Sequence, residues 1–427
     1  MVLYREDPSS TDIEPNVRSR FPPLTGQLLG DKDMTLTQDR SHRLASERRL
    51  KMARSAHAYV RGSMGKFYDW LEQSDSRLPN GPPVWICGDC HLGNLGPLAS
   101  RKGRVEIQIR DLDQTVIGNP AHDLVRLALS LASSARGSDL PGVTTAHMLE
   151  HLSSGYVEGL TRISGGEPFK RPPEIRKVLN RAMRRGWQDL MIERLRTDRP
   201  HLGVSKRFWP LEAGERDGID ALFQSDTREE LIDRLRISDS DSLRVAGAAY
   251  WMKGCSSLGR LRYAVLIRCG EGDQARHRLI DVKEATQAAA PRSPQAAMPR
   301  DNAERVVQGA RAISPHLGER MVAARLMERT VVLRELAPQD LKLELGALRP
   351  DRAVALAAYL GAVLGRAHGR QLKASDASVW AREIASTSGA LDAPGWLWSS
   401  VVDLLSVHEA AYLEHCRRFA LDRKEAA

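Results

Sequence analysis

The spacing of apolar residues changes twice along this chain, and these changes restrict the folds that it can adopt. Between Leu243 and Leu336 the chain consists of short β-type runs, with one helical pattern between the third and fourth runs. The residues on either side follow mostly helical spacing. Short runs joined by short links predict a small antiparallel sheet with one helix, in an α+β protein whose larger part is helical. The predicted strands are Tyr250 to Lys253, Arg260 to Arg268, Arg278 to Glu284, Met321 to Glu328 and Thr330 to Leu336, and the helix is Asn302 to Ile313.

The larger, helical part contains two further β-type runs. Val84 to Cys87 and Val105 to Ile109 both precede a long apolar helical pattern that starts after Pro120. The first forty residues are rich in Pro, Gly and Asp, which is typical of an irregular lead-in. We therefore expect the two runs to lie inside the helical part, apart from the small sheet.

Composition and charge exclude several functional classes. Hydrophobic residues make up 42% and charged residues 27% of the 427, which excludes a disordered or collagen-like chain. The absence of a long apolar stretch and of a signal peptide, together with five cysteines, favours a soluble, cytoplasmic protein. The net charge of +9 includes a basic stretch, Lys170 to Arg207, next to an acidic one, Glu212 to Asp241. Because such stretches usually form solvated helix faces that pair, we expect neither a nucleic-acid partner nor a membrane partner.

The densest group of reactive side chains is the segment GDCHLGN, residues 88–94. Asp89 and Asn94 lie five residues apart on a predicted loop that leaves a strand, and Asp111 and Asp113 follow the next β-type run. Phosphoryl transfer needs a carboxylate that orients or deprotonates the acceptor hydroxyl, and an Asn and an Asp that hold Mg²⁺. Taken singly, each of these residues is a common turn former or cap. Taken together they predict a phosphoryl-transfer site, whereas Cys87-x-x-Cys90 lacks the second pair of a zinc site.

A second group of residues supplies what a phosphate chain would need. Gly254 to Gly259, GCSSLG, lies between two predicted strands, and glycines there would let backbone N–H groups approach phosphates. Lys283 follows in a predicted strand and Glu304 on the predicted helix. A strand lysine held by a helix glutamate is the arrangement of kinases. Glu284 is an alternative partner for Lys283, and a plain hairpin turn is the alternative for the loop.

These motifs resemble known phosphotransferases. GDCHLGN, IRDLD and GNPAHDL are similar to the signature of aminoglycoside and choline kinase-like enzymes. More closely, the whole pattern resembles the bacterial family called domain of unknown function 2252, over roughly Lys51 to His415. The resemblance implies a protein-kinase-like fold more firmly than it implies a substrate. The further motifs that carry it are Arg61-Gly62, DLDQT, HDLVRLALS, GCSSLGRLRY, DVKEA, ERVVQGAR and LGRAHGR.

The resemblance also implies roles for residues on the catalytic side. Asp89 becomes the catalytic aspartate, Asn94 and Asp111 become the Mg²⁺ ligands, and Asp113 assists the metal. Asp123 buttresses the catalytic loop from the start of the following helix.

On the donor side the resemblance implies an ATP site. Lys283 becomes the phosphate lysine, with Glu304 as its partner, and the segment after the last strand, Glu335 to Leu341, lies near the edge that receives the adenine. The nucleotide loop supplies Gly254, Ser256, Ser257 and Gly259.

The order of the motifs departs from that of ordinary kinases, because the catalytic loop precedes the nucleotide loop by more than 150 residues. If both form one site, the fold is bilobed, protein-kinase-like and circularly permuted, which surface termini tolerate. The expected divisions are residues 1–80 (lead-in and helical extension), 81–245 (catalytic loop and helical lobe), 246–345 (nucleotide-binding, β-rich lobe) and 346–427 (C-terminal helices completing the helical lobe).

Several alternatives stay open at this point. The same fold allows adenylyl transfer, and a nucleotide-binding pseudokinase is the non-enzyme alternative. A two-metal phosphoesterase is disfavoured, since no D-x-H strand precedes residue 88. The acceptor is a small-molecule or protein hydroxyl, and the oligomeric state is open. Four further residues have two readings each, an acceptor or phosphate contact or a structural role: Arg61, Lys342, His368 and Arg370.

Overall fold

The five β-type runs predicted between Leu243 and Leu336 lie in one six-stranded antiparallel sheet. Across it the strands follow the order β5-β6-β7-β8-β10-β9. The sequence predicted the last five strands but not β5, and β6 starts six residues earlier than the predicted run. The strands are β5 (Phe208–Trp209), β6 (Arg244–Trp251), β7 (Arg262–Cys269), β8 (Arg276–Glu284), β9 (Met321–Leu326) and β10 (Arg329–Glu335). The prediction of an α+β protein with a small antiparallel sheet is thereby confirmed.

The computed structural model describes residues 37–74, 77–162, 170–197, 200–235, 243–253, 260–272, 275–343, 348–386 and 395–419. The predicted lead-in before residue 37 and the predicted nucleotide loop, Gly254 to Gly259, lie outside the described residues. The described residues all belong to one compact unit.

The sheet is covered on both faces, which explains why β7 is buried along most of its length. Tyr263, Val265 and Ile267 pack on one side with residues of α8 and α9. Ala264 and Leu266 point to the opposite face and pack with residues of α7. Near-continuous apolar sequence is what a strand buried on both faces requires. These helices are α7 (Trp187–Arg194), α8 (Ala213–Leu222) and α9 (Asp226–Leu235).

The remaining helices come from both halves of the chain. Those from the first half are α1 (Thr37–Ala53), α2 (Ala56–Gly62), α3 (Met64–Ser74), α4 (Pro120–Arg136), α5 (Gly142–Thr161) and α6 (Pro173–Met183). Those from the second half are α10 (Asn302–Ile313), α11 (Pro315–Gly318), α12 (Pro350–Gly369), α13 (Ala374–Ser386) and α14 (Trp396–Phe419). No helix among the described residues is long and apolar enough to cross a membrane.

Helices α5 and α12 meet at their backbones. A Cβ atom at Gly155 would lie 2.1 Å from the carbonyl oxygen of Ala358, and one at Gly361 would lie 2.1 Å from that of Leu152. Because no Cβ atom fits at such distances, glycine is required where the two helices cross. This contact ties the C-terminal helices to the helices that follow the GDCHLGN segment.

Two short hairpin-like sheets lie among the helices. β1 (Val84–Ile86) pairs with β4 (Val116–Gly118), and β2 (Leu95–Ala99) pairs with β3 (Val105–Ile109). The sequence predicted β1 and β3 but missed their partners, since β4 is only three residues long and LGPLA carries a Gly and a Pro. Together these four strands hold both ends of the GDCHLGN segment and of the segment with Asp111 and Asp113.

Candidate functional site

The GDCHLGN loop leaves β1 through a conformation that requires glycine. Gly88 has a φ of +75°, and a Cβ atom there would lie 2.2 Å from the carbonyl oxygen of Gln114. The hydroxyl of Tyr68 donates a hydrogen bond to the Gly88 carbonyl. After the loop, a short 3-10 helix, Leu92–Asn94, leads into β2. The backbone at Gly88 therefore turns against the segment that carries Asp113 and Gln114.

Substituting this glycine tests how tightly the loop is held. We expect Gly88→Ala to destabilise the protein by about 2–4 kcal/mol, because the strained φ and the clash with a backbone oxygen add. Urea denaturation would measure the loss. Gly103→Ala, at a φ of +79° in open space, is the matched control and should cost only about 1 kcal/mol. Equal losses at the two positions would contradict the packing argument.

Asp123, on the first turn of α4, fastens the start of the loop. Its Oδ2 accepts a hydrogen bond from the N–H of Cys87 at 2.6 Å, and its Oδ1 accepts one from the N–H of Gly88 at 2.9 Å. The carboxylate is 1% exposed. Two buried N–H groups on one carboxylate give a charge-assisted clamp, so the structure shows Asp123 in the buttressing position.

A chain of buried hydrogen bonds continues from Asp123 into the C-terminal helices. His368 Nε2 lies 3.3 Å from Asp123 Oδ2, and its Nδ1 lies 3.0 Å from the hydroxyl of Tyr156. Trp380 Nε1 donates to that same hydroxyl at 3.0 Å. His368 is fully buried, so its side chain does not face an acceptor substrate. It supports, from α12, the Asp123 clamp on the GDCHLGN loop.

Asp89 is paired with an arginine that the sequence interpretation missed. Arg126 Nε donates to Asp89 Oδ1 at 2.9 Å, and Arg126 Nη2 donates to the carbonyl of Val60 at 2.7 Å. Burial raises the pKa of Asp89 above its usual range, although the neighbouring Arg126 guanidinium opposes the shift. Arg126 lies three residues after Asp123 on α4, so both reach the loop from one helix face. That spacing was the available signal.

His91 faces this carboxylate, with its Nε2 3.8 Å from Asp89 Oδ2. Burial, Arg61 and Arg126 lower the pKa of His91 well below its usual value, so the imidazole is neutral at neutral pH. The guanidinium of Arg61 lies against Gly93, since a Cβ atom there would be 2.8 Å from Arg61 Cζ. Arg61 thus packs on the backbone of the loop.

Asn94 and three carboxylates line one cleft of about 210 Å³. The Asn94 side chain donates from Nδ2 to the carbonyl of Asp89 at 3.0 Å, so its amide oxygen is the atom that could bind a metal ion. Two arginines, Arg48 and Arg260, line the same cleft. The other lining residues are Gly62, Met64, Gly65, Asp89, Asp111, Asp113 and Gln114.

Lys283 reaches the edge of this cleft from the sheet, in a neighbouring pocket that shares Asp111 and Asp113 with it. Its Nζ lies 3.5 Å from Asp111 Oδ1 and also contacts the carboxylate of Asp113. Although burial would raise the pKa of Asp111, the Lys283 ammonium and the Arg262 guanidinium outweigh it and hold this pKa below its usual range. Burial and the Asp111 charge raise the pKa of Asp113. The two carboxylates thus share one positive neighbour and repel each other, which a divalent cation would relieve.

The donor atoms present fit the magnesium ion that the sequence resemblance implies. Carboxylate oxygens of Asp111 and Asp113 and the amide oxygen of Asn94 are hard ligands, as Mg²⁺ prefers. Within the part of the chain that the structure describes, no group of three or more His, Cys, Asp or Glu side chains could hold a metal ion. In phosphoryl-transfer sites Mg²⁺ usually has few protein ligands, and phosphates and water complete its coordination.

The structure does not bring Glu304 to Lys283. Glu304 is exposed on the first turn of α10, where its backbone N–H donates to Asp301 Oδ1 at 3.1 Å. Glu284, the alternative, bonds the N–H of Leu261 at 2.9 Å and Arg329 at 2.8 Å. Among its described ion pairs, Lys283 therefore has Asp111 and Asp113 as partners instead of a helix glutamate. The loop residues Gly254, Ser256, Ser257 and Gly259 lie outside the described residues.

The two other residues with open readings, Arg370 and Lys342, differ in burial. Arg370 Nη2 donates to the carbonyl of Ile313 at 2.8 Å, which joins the end of α12 to α10. Lys342 is exposed.

Among protein families, residues 40–418 match the model described as "Uncharacterized protein conserved in bacteria (DUF2252)". Neither the curated proteins nor the solved structures gave a match. The matched range contains every residue of the site described above.

Proposed function

Starting from the fact that the chain belongs to the DUF2252 family of bacterial proteins, we propose that it is an ATP- and Mg²⁺-dependent phosphotransferase. Its acceptor is a hydroxyl group of a small molecule or a protein, and its location is the cytoplasm. The observation that carries this proposal is the approach of Lys283 to within 3.5 Å of Asp111. Lys283 and Asp111 are 172 positions apart in the sequence. Their contact places a cation that could bind phosphate next to carboxylates of the kind that hold Mg²⁺.

Each residue has a defined task in the proposed reaction. Asp89 orients the acceptor hydroxyl and takes its proton as the oxygen attacks the γ-phosphorus of ATP. The new P–O bond forms while the bond to the β-phosphate oxygen breaks, so ADP leaves. Lys283 pairs with the phosphate chain. Asn94, Asp111 and Asp113 would hold Mg²⁺, which neutralises charge on the transferred group.

Arg126 has a positioning task in this scheme. Its guanidinium occupies Asp89 Oδ1, and the second oxygen, Oδ2, is left for the acceptor. The Arg126 side chain is fully buried and stacks 5.3 Å from the ring centroid of Phe67. A carboxylate held in this way keeps one orientation, which general-base catalysis requires.

The finer description of the fold belongs to the same proposal: a bilobed, protein-kinase-like arrangement that is circularly permuted. Two features support it. Strands β6, β7 and β8 pair in succession, and Lys283 lies on β8, the third of them. Kinases likewise carry their phosphate lysine on the third strand. Helix α10 follows β8 in the chain, as αC follows that strand in kinases.

A thermal-shift experiment tests the proposal. We expect Mg·ATP to raise the melting temperature, since ligand at 100 times its Kd stabilises by about 2.7 kcal/mol. Asp111→Asn should abolish this shift because a metal ligand is lost. Asp217→Asn, at an exposed position on α8, is the control and should keep the full shift. An unchanged melting temperature of the wild-type protein at millimolar Mg·ATP would refute the proposal.

A further inference from the structure

The face of the sheet that carries Lys283 is divided into a charged half and an apolar half. Lys283 stands opposite Arg262, and Asp281 stands opposite both Ala264 and Arg334. Directly opposed residues share a face. Arg262 Nε donates to Asp281 Oδ1 at 2.8 Å, so charged side chains form a strip across three strands next to Asp111 and Asp113.

The apolar half of this face is covered by α7 and the residues that follow it. The cluster contains side chains of the sheet that are almost wholly inaccessible, with Leu279 and Ala264 at 0% and Leu266 at 1% exposure. Among the described residues, this half of the face leaves no apolar surface for a flat ring to lie on. The covering residues are Leu190, Met191, Leu195 and Leu202, those of the sheet are Phe208, Ala249, Trp251, Ala264, Leu266 and Leu279, and Leu336 follows the end of β10.

The edge that the sequence analysis expected to receive the adenine is also occupied. Arg185 Nε donates to the carbonyl of Pro338 at 2.9 Å, and Gln339 Nε2 donates to the carbonyl of Arg185 at 3.0 Å. Leu336 is buried among the residues of α7. The carboxylate of Asp340 is held by Arg320 at 2.8 Å and by Arg334 at 3.0 Å. The carbonyl of Pro338 and the carboxylate of Asp340 are thus bonded to this chain's own side chains.

The pocket that Lys283 lines is small, and its charged side chains are joined there by Leu112, Ala285, Val306, Leu317, Met321 and Val332. The pocket has a volume of about 60 Å³, less than half of the roughly 150 Å³ cavity that holds a benzene ring in another protein. A purine is larger than benzene. Guanidinium and ammonium groups match phosphate oxygens. The charged residues that line the pocket include Arg110, Asp111, Asp113, Arg262, Lys283 and Arg334.

From these observations we propose that the site recognises its donor by the phosphate chain alone, and that the base of a nucleotide lies outside the sheet. This inference rests on the proposed function and extends it to the class of donor. Any nucleoside triphosphate, and inorganic tripolyphosphate as well, should bind about as tightly as ATP. Chemically, the donor class is a magnesium-bound polyphosphate.

Calorimetric titration of the full chain with four magnesium-loaded probes tests this inference: ATP, GTP, CTP and inorganic tripolyphosphate. We expect their Kd values to agree within fivefold. A preference for ATP of more than fivefold over any of the others would overturn the inference and leave the proposed function standing. If none of the four binds, the proposed function fails and the inference fails with it.

Two lysine variants show whether the probes occupy the described site. Lys283→Met should weaken all four probes by a common factor of at least tenfold, because each loses the same phosphate contact. Lys177→Met, at an exposed position on α6, removes an equal charge and should change none of the Kd values. Unchanged binding of the four probes to Lys283→Met would place the polyphosphate elsewhere and overturn the inference.

Discussion

Asp89→Asn abolishes phosphoryl transfer and leaves the binding of Mg·ATP intact; this is the largest effect on activity that we expect. Asparagine cannot take the acceptor's proton, and loss of a general base lowers rates by about 10²–10⁴-fold. Its amide oxygen still accepts the hydrogen bond that Arg126 Nε now gives to Asp89 Oδ1. The buried guanidinium therefore keeps a partner, and the fold survives.

Transfer of label from γ-labelled ATP measures this effect, once an acceptor has been found by screening hydroxyl compounds for ATP turnover. Asp69→Asn, at an exposed position on α3, is the matched control and should transfer at the wild-type rate. Transfer by Asp89→Asn at that same rate would exclude Asp89 as the base. A parallel reaction with α-labelled ATP separates the alternative reaction, because adenylyl transfer moves the α-label and releases pyrophosphate.

Asp123→Ala has the largest effect on stability that we expect. The change leaves the buried N–H groups of Cys87 and Gly88 without their acceptor and removes the carboxylate that His368 faces at 3.3 Å. Deleting one partner of such a buried polar group costs about 3–5 kcal/mol. Urea denaturation followed by circular dichroism would measure the difference.

The control for this variant deletes the same carboxylate where nothing is buried. Asp217→Ala on the exposed side of α8 should change the free energy of unfolding by less than about 0.5 kcal/mol. His368→Phe would keep the volume of the ring and lose only its link to Asp123, so its cost should fall between those of the two alanine variants. A loss below 1 kcal/mol for Asp123→Ala would show that the clamp is not needed for the fold.

Elements with a clear local period were predictable. Helix α10 has the bounds expected from its pattern, and the side chain of Asp301 caps it by accepting from the N–H of Ala303. Strand β8 begins two residues before its predicted start and ends where predicted. Period and caps are local properties of the chain, so the residues of these elements contain the required information.

Pairings between distant charges were not predictable in the same way. Helix spacing placed Glu304 on α10, but packing left it exposed, and Lys283 pairs with Asp111 and Asp113 instead. The acidic stretch pairs in part outside the basic stretch expected to neutralise it, as in the pair of Glu215 with Arg40 at 2.7 Å. Any of the many charged residues could have been a partner, and only the positions of the elements decide among them.

The amino-acid sequence alone therefore determined the α+β class, most strands and helices of the described residues, and the residue types of the site for which we propose phosphoryl transfer. Tertiary structure decided that Arg126 fixes Asp89, that His368 supports Asp123 from α12, and that α7 covers the apolar half of the sheet face beside Lys283. The physical reason is the separation along the chain over which each kind of interaction acts. Period, capping and turn chemistry act over a few residues, whereas burial and ion pairing depend on which surfaces meet when distant segments pack.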